Sequence, residues 1–169
     1  MHSQEERQQN RFTGPTEDQD DPFSSRWDWR SGAISGLLAA VVMGVGITLT
    51  QQVTMQVAIA GLYGQSGNLV AGWAAHLFHG TLFGVLFAAI LADPGLYHLT
   101  DWPRKTVLAG IVYSMVLAVA GAGIVMPMWL ELVGVTAPGT ILALSGPMLV
   151  WHLLYGAVLG VLFPFIEDR

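Results

Sequence analysis

The near absence of charge between Ser31 and Ile166 is the feature that most restricts how this chain can fold. The charged side chains in that stretch are Asp93, Asp101, Arg104, Lys105 and Glu131. A soluble domain carries about a quarter charged residues, whereas 11% of this chain is charged and 53% is hydrophobic. About 20 apolar residues in a helix suffice to cross the roughly 30 Å hydrocarbon core of a bilayer. The pattern therefore predicts an all-α, polytopic membrane protein folded as a four-helix transmembrane bundle.

Turn and helix-stop signals divide the apolar stretch into four predicted spans and two short outer segments. The spans are residues 32–52, 69–92, 106–126 and 140–166, and the outer segments are residues 53–64 and 128–135. We interpret the first outer segment either as an interfacial helix or as a frayed extension of the first span. Pro127 is predicted to end or kink the third span because it lacks a backbone donor, and Pro147 to kink the fourth.

The basic residues predict how the chain is oriented. Residues 1–25 are polar and acidic and are predicted to be a disordered tail, followed by a transmembrane domain at residues 26–169. With four spans, all seven Lys and Arg residues fall on one side of the membrane. Positive charge stays on the cytoplasmic side, so we expect cytoplasmic N- and C-termini in a multi-pass protein of the cell membrane.

The chain contains an internal repeat. The stretch HLFHGTLFGVLF at 76–87 returns as HLLYGAVLGVLF at 152–163, with seven identical positions. The first and third spans match as well, with a small residue at every fourth place in both. Each copy contains two spans, so we expect two parallel two-helix repeats related by an axis along the membrane normal.

Small residues spaced by four let helix backbones approach each other in lipid, where no hydrophobic force draws apolar helices together. We expect such GxxxG-type packing to hold the bundle, with these faces turned inward. The glycines predicted to pack are Gly36, Gly44, Gly80, Gly84, Gly110, Gly156 and Gly160.

Four polar side chains are predicted to lie within the spans: His76, His79, His152 and Tyr155. His76 is placed about 10 Å, and His152 about 18 Å, from the outer start of its helix. The simplest interpretation is that each histidine stays neutral and hydrogen-bonds a carbonyl, a tyrosine or the other histidine across the helix interface.

Two sharper interpretations of the histidines remain open. In the first, His76 and His152 ligate the iron of haem b from opposite sides, although the sequence supplies no arginines for the propionates. In the second, His76, His79 and His152 conduct ions or protons, with Glu131 as a further candidate for the path. No acid lies within a span, and no zinc set is apparent, so no metal site is predicted.

Other chemistry is not indicated. The chain has no cysteine, which removes disulfides and thiolate sites, and it has no basic surface for nucleic acid. No nucleophile elbow, phosphate loop or paired carboxylates occur, so no catalytic residue and no enzyme are predicted. Glu131 is interpreted as a solvated interfacial residue.

The repeated His-Leu-x-x-Gly-x-x-x-Gly pattern, with a glycine-striped helix before each copy, resembles the small four-span membrane proteins of unknown function in halophilic archaea. The resemblance covers 32–166 and implies the architecture but no activity. Some of those proteins carry the name histidine kinase, yet the chain has no kinase motif. We therefore predict a non-enzymatic scaffold or accessory subunit with no cofactor, whose partners are the lipid bilayer and either further copies of itself or other subunits of a membrane complex.

Overall fold

The computed structural model describes residues 27–135 and 144–167, and all regular structure within them is helical. Four helices are long and apolar enough to cross a membrane: α1 (Trp29–Ile59), α2 (Leu69–Leu91), α3 (Pro103–Leu132) and α4 (Gly146–Ile166). A short 3₁₀ turn, Tyr97–Leu99, lies between α2 and α3. The acidic tail predicted at 1–25 lies outside the described residues, as do residues 140–143 of the fourth predicted span.

Local sequence signals explain where three of the helices begin. Asp28 accepts a hydrogen bond from the Ser31 backbone N–H at 3.0 Å and so caps α1. Asn68 does the same for α2, accepting from Ala71 at 3.1 Å. Ser145 caps α4. Each side chain satisfies one of the backbone donors that a helix N-terminus leaves without a partner.

The first helix is longer than predicted and changes character near its end. It does not stop at residue 52, because a π-helical segment, Thr54–Ile59, continues it. Gln51 has the non-helical angles φ −146° and ψ 48°. Just before it, the hydroxyls of Thr48 and Thr50 donate to the carbonyls of Gly44 and Gly46. Such back-bonding bends helices, so the segment predicted as outer is a bent continuation of the first span.

The prolines singled out in the third and fourth spans both lie within helices. Pro127 does not end α3, because the helix passes through it to Leu132 after a π-helical segment, Leu117–Val125. A π-helix bonds five residues back instead of four, and we attribute the tolerance of Pro127 to this wider turn. The prediction of a kink at Pro147 is wrong. Pro147 lies in the first turn of α4, where its missing N–H would have no partner in any case.

Helices α1 and α2 form a closely packed antiparallel hairpin. A Cβ atom built on Gly36 would lie 2.5 Å from the Gly80 carbonyl oxygen and 2.7 Å from the Gly84 Cα. Helix backbones this close leave no room for any side chain larger than hydrogen. Further along the hairpin, a Cβ on Gly72 would overlap the carbonyl oxygen of Met55. The contact therefore continues into the π-helical part of α1.

Helices α3 and α4 form a second hairpin with matching contacts. A Cβ atom built on Gly110 would overlap the Gly156 carbonyl oxygen and lie 3.1 Å from the Gly160 Cα. The hairpins meet along α1 and α4, where the Trp151 ring covers Gly46. The helices therefore follow one another around the bundle in the order α2, α1, α4, α3.

The bundle has a small core and an apolar exterior. Phe87, Leu159 and Phe163 are nearly inaccessible, whereas Leu49, Val70 and Phe165 are each more than three-quarters exposed. An aliphatic surface on this scale is typical of a helix bundle surrounded by lipid rather than by water.

Candidate functional site

A cavity of about 410 Å³ lies between α2 and α3. It occupies the half of the bundle near Ile59, Leu69, Leu132 and Gly146, which we call the distal end; the opposite end, with Arg30, Arg104 and Lys105, is the basic end. All four helices and the residues just after α1 contribute side chains to it, and its volume lies in the range usual for small-molecule sites. The lining residues are Met43, Ile59, Leu62, Tyr63, His76, His79, Gly80, Phe83, Leu117, Gly121, Ala122, Val125, Met126, Trp129, His152 and Tyr155.

The cavity lies where α2 and α3 are connected by side chains and not by backbone contact. The backbones of the two helices make almost no close approach. Tyr113 bridges the gap, donating its hydroxyl to the Phe83 carbonyl at 2.8 Å and packing its ring 5.4 Å from that of Phe87. Beyond this bridge the π-helical segment of α3 presents small residues, and a Cβ atom built on Gly121 would meet nothing within 4 Å.

His76 joins α2 to α1 beside the cavity. Its Nε2 lies 2.9 Å from the Ala40 carbonyl oxygen, and Trp73 packs edge-on against the imidazole. A carbonyl oxygen only accepts, so Nε2 carries the proton and donates it. In a neutral imidazole the other ring nitrogen, Nδ1, then carries a lone pair.

His152 has the opposite arrangement. Its Nδ1 lies 2.8 Å from the Met148 carbonyl oxygen in its own helix, so Nδ1 donates and Nε2 carries the lone pair. The prediction that His152 lies about 18 Å into its helix is wrong because α4 begins at Gly146. Six residues from that start correspond to about 9 Å, nearly the same depth as the roughly 10 Å of His76.

The two repeated histidines therefore share a cavity and a depth but not a bonding pattern. His76 holds two helices together, whereas His152 bonds only within its own helix. His79, one turn from His76, pairs with the Tyr63 hydroxyl at 3.0 Å and stacks near Phe83. Tyr155 donates its hydroxyl to the Gly80 carbonyl at 2.7 Å and ties α4 to α2.

Among the described residues, no charged side chain lines the cavity. A charged imidazole there would have no carboxylate from these residues beside it, and a charge within a membrane span costs about 2.5 to 3.5 kcal/mol on insertion scales. Glu131, the acid considered for a proton path, is exposed near the end of α3 and is not among the lining residues. The polar groups of the site are thus imidazoles, hydroxyls and the Trp129 indole within a mainly apolar lining.

Two observations concern the metal and haem alternatives. No group of three or more His, Cys, Asp or Glu that could hold a metal ion occurs among residues 27–135 and 144–167. Ligation of haem by His76 through Nε2 would require its hydrogen bond to Ala40 to break. Without that break, only the Nδ1 atom of His76 could reach an iron.

The predicted packing glycines mostly lie away from the cavity. Gly36 and Gly84 contact each other between α1 and α2, Gly110, Gly156 and Gly160 pack between α3 and α4, and Gly44 lies under the rings of Trp73 and His76. Gly80 packs against α1 and also lines the cavity.

Sequence reasoning missed the cavity and its contributors Gly121, Tyr63 and Trp129. The available signal was the run of alanine and glycine at 120–123, which supplies almost no side-chain volume to fill a helix interface.

Comparisons of the chain with models of protein families, with curated proteins and with solved structures found no match. The resemblance to small four-span proteins of halophilic archaea therefore stays a prediction. What the cavity does has to be inferred from its own geometry.

Proposed function

We propose that this chain is a non-enzymatic integral membrane protein that binds a small apolar molecule in the cavity between α2 and α3. The single observation that carries the proposal is the cavity itself, about 410 Å³ in volume and lined mainly by aliphatic and aromatic side chains from all four helices. Apolar cavities with a few polar groups are the usual form of small-molecule sites. The scaffold role predicted from glycine packing requires no cavity. A binding role explains the cavity and is compatible with the same packing.

The packing around the cavity supports this proposal. Each hairpin is held by backbone contact at glycines, and interiors packed in this way do not deform continuously. If these contacts hold, the gap between α2 and α3 closes only when the two hairpins rotate against each other along α1 and α4. A cavity whose walls are held by backbone contacts is preorganised for binding, which lowers the ordering cost when a ligand enters.

The membrane setting and the internal repeat belong to the same proposal. We place both termini on the cytoplasmic side of the cell membrane, since the basic end carries Arg30, Arg104 and Lys105. Duplication of a two-helix unit is supported by the matched contacts of Gly36 with Gly80 and Gly84, and of Gly110 with Gly156 and Gly160. The cavity would then lie in the outer half of the membrane, where lipophilic molecules can reach it from the bilayer.

Co-purification tests the proposal. Protein purified in detergent would be extracted with organic solvent, and the extract analysed by mass spectrometry against two matched variants. Gly121→Leu places a side chain in the empty space of the cavity, whereas Ala120→Leu adds the same side chain at the neighbouring exposed position. We expect a bound apolar molecule in the parent and in Ala120→Leu, and its loss in Gly121→Leu. Identical extracts from both variants would contradict the proposal.

Native mass spectrometry of the same samples adds an independent readout. A bound molecule should appear as a discrete mass increment on the parent protein that is absent from Gly121→Leu. The spectrum also reports how many copies of the chain associate, which tests the predicted homo-oligomer.

A further inference from the structure

We infer that the ligand is an uncharged lipophile that donates a hydrogen bond, such as a phenol or another hydroxylated apolar molecule. The inference rests on the proposed binding function and specifies the chemistry of the ligand's polar group. It follows from which atoms at the inner end of the cavity still have hydrogen-bonding capacity.

The two histidines offer only acceptors. The N–H of His76 is donated to Ala40 and that of His152 to Met148. Each neutral ring therefore retains one nitrogen with a lone pair, Nδ1 in His76 and Nε2 in His152. Both rings line the cavity at nearly the same depth.

These two nitrogens remain open to a ligand. Among the described residues, the side-chain polar atoms that are both fully buried and unpaired are Ser35 Oγ and Trp151 Nε1. The unpaired nitrogens of His76 and His152 are not among them, so some of their surface stays accessible. Both residues line the cavity, and we infer that a molecule within it contacts this surface.

The Tyr63–His79 pair shares one hydrogen bond and so keeps one donor, but two other donors of the lining are already used. Tyr155 donates its hydroxyl to the Gly80 carbonyl, and Trp129 donates its indole N–H to the Leu62 carbonyl at 2.9 Å. A ligand that offered only acceptors would thus meet lone pairs at both His76 and His152. A ligand with a hydroxyl would satisfy one imidazole, and a buried acceptor left without a donor weakens binding.

The absence of charge from the described lining excludes charged headgroups. Within the part of the chain that the structure describes, neither Lys nor Arg contributes to the cavity, so a phosphate or carboxylate would have no counter-charge there after leaving water. The polar group would also lie about 10 Å inside the helices, at the depth of His76. A phospholipid keeps its headgroup at the membrane surface, and the site therefore suits a weakly polar lipophile instead.

Three probes that differ only in the polar group test the inference. 4-Octylphenol donates a hydrogen bond, 4-octylanisole carries a methyl ether that cannot donate, and 4-octylbenzoate is charged. Binding to the purified full chain would be measured by displacement of radiolabelled 4-octylphenol. We expect the phenol to bind about tenfold or more tightly than the ether, as a lost donor to a buried acceptor implies, and the benzoate to bind weakest.

Variants of His152 test whether the preference for phenol over ether depends on the Nε2 atom of this residue. His152→Leu removes an acceptor, so the ratio of phenol to ether affinity should fall toward one, while His152→Gln keeps an acceptor oxygen and should retain part of the preference. The matched control is His98→Leu, because His98 is exposed outside the cavity. His152 bonds only within its own helix, and circular dichroism would verify that the variants fold.

The outcomes separate the inference from the proposed function. Equal binding of phenol and ether, abolished by Gly121→Leu, would overturn the donor requirement while the apolar site remained. Preferred binding of the benzoate would overturn the exclusion of charge. If no probe binds in a manner sensitive to Gly121→Leu, the proposed function itself fails.

Discussion

At the scale of single residues, some buried hydroxyls in the described part of the chain have a hydrogen-bond partner and others do not. Ser114 is fully buried, and its hydroxyl donates to the Ile111 carbonyl at 2.9 Å. Ser35 is equally buried, but its Oγ has no hydrogen-bond partner among the described residues. An unpaired buried hydroxyl costs about 1 to 3 kcal/mol, so these two serines should respond differently to removal of the oxygen.

We predict that Ser35→Ala leaves the free energy of unfolding unchanged or raises it by about 1 kcal/mol, since an unsatisfied oxygen is removed and the backbone is kept. Ser114→Ala is the matched control and should lower it by about 0.5 to 1 kcal/mol through loss of a hydrogen bond. Thermal or denaturant unfolding in detergent, followed by circular dichroism, measures both. A clear loss of stability in Ser35→Ala would indicate that its hydroxyl has a partner after all.

The histidines illustrate how far residue-level prediction from sequence extends. Their position within apolar helices is readable from the sequence, because an ionisable group in a span stands out from its surroundings. Their partners are not, since a bond to Ala40 in α1 or to Met148 in α4 depends on rotamer and helix crossing. The repeat predicts equivalent roles for the two histidines. In the structure, His76 hydrogen-bonds a carbonyl of another helix and His152 a carbonyl of its own helix.

At the scale of helices, backbone contact and open space distinguish glycines that look alike in sequence. Gly36 and Gly110 face the backbone of the neighbouring helix, whereas Gly121 faces empty space. The four-residue spacing is enough to identify Gly36 and Gly110 as packing residues. It gives no indication of Gly121, because the π-helical segment changes which residues face inward.

We predict opposite effects of alanine at these positions. Gly36→Ala and Gly110→Ala push two backbones apart and should each lower the free energy of unfolding by about 2 kcal/mol or more. Gly121→Ala meets no neighbouring atom and should leave stability unchanged or raise it by up to about 1 kcal/mol, the difference in helix propensity. Unfolding in detergent compares the three. Equal destabilisation by all three would show that helix packing does not distinguish them.

The helix ends show the limits of local signals. The caps at Asp28 and Asn68 follow directly from side-chain chemistry. The general rule for proline assumes an α-helical interior, and for that reason the predicted helix end at Pro127 and the predicted kink at Pro147 are wrong. One follows a π-helical segment and the other lies in a first turn, and neither context is encoded by the proline itself.

At the scale of the whole molecule, the two hairpins have similar internal contacts, but the two interfaces between them differ. Both use the same glycine contacts internally, yet α1 packs along α4 while α2 and α3 are bridged mainly by side chains. Exact twofold symmetry would make these two interfaces equivalent. The cavity lies at the second of these interfaces, and it could not be predicted from sequence because it depends on how the two hairpins pack against each other.

The orientation of the bundle can be tested with single cysteines, since the chain has no native cysteine to interfere. Ser66 is exposed at the distal end and His98 is exposed at the basic end. Because basic residues stay in the cytoplasm, we expect a membrane-impermeant maleimide to modify Ser66→Cys in intact cells. His98→Cys should react only after the cells are opened.

Leu86→Cys supplies the control for burial in lipid. Leu86 is 45% exposed on the flank of α2. A cysteine at this position would therefore react with the maleimide if no lipid covered it. Thiolate, the reactive form, does not form in hydrocarbon, and this variant should therefore stay unmodified even in opened membranes until detergent is added. Modification of His98→Cys but not Ser66→Cys in intact cells would invert the orientation, and would move the cavity to the cytoplasmic half of the bilayer.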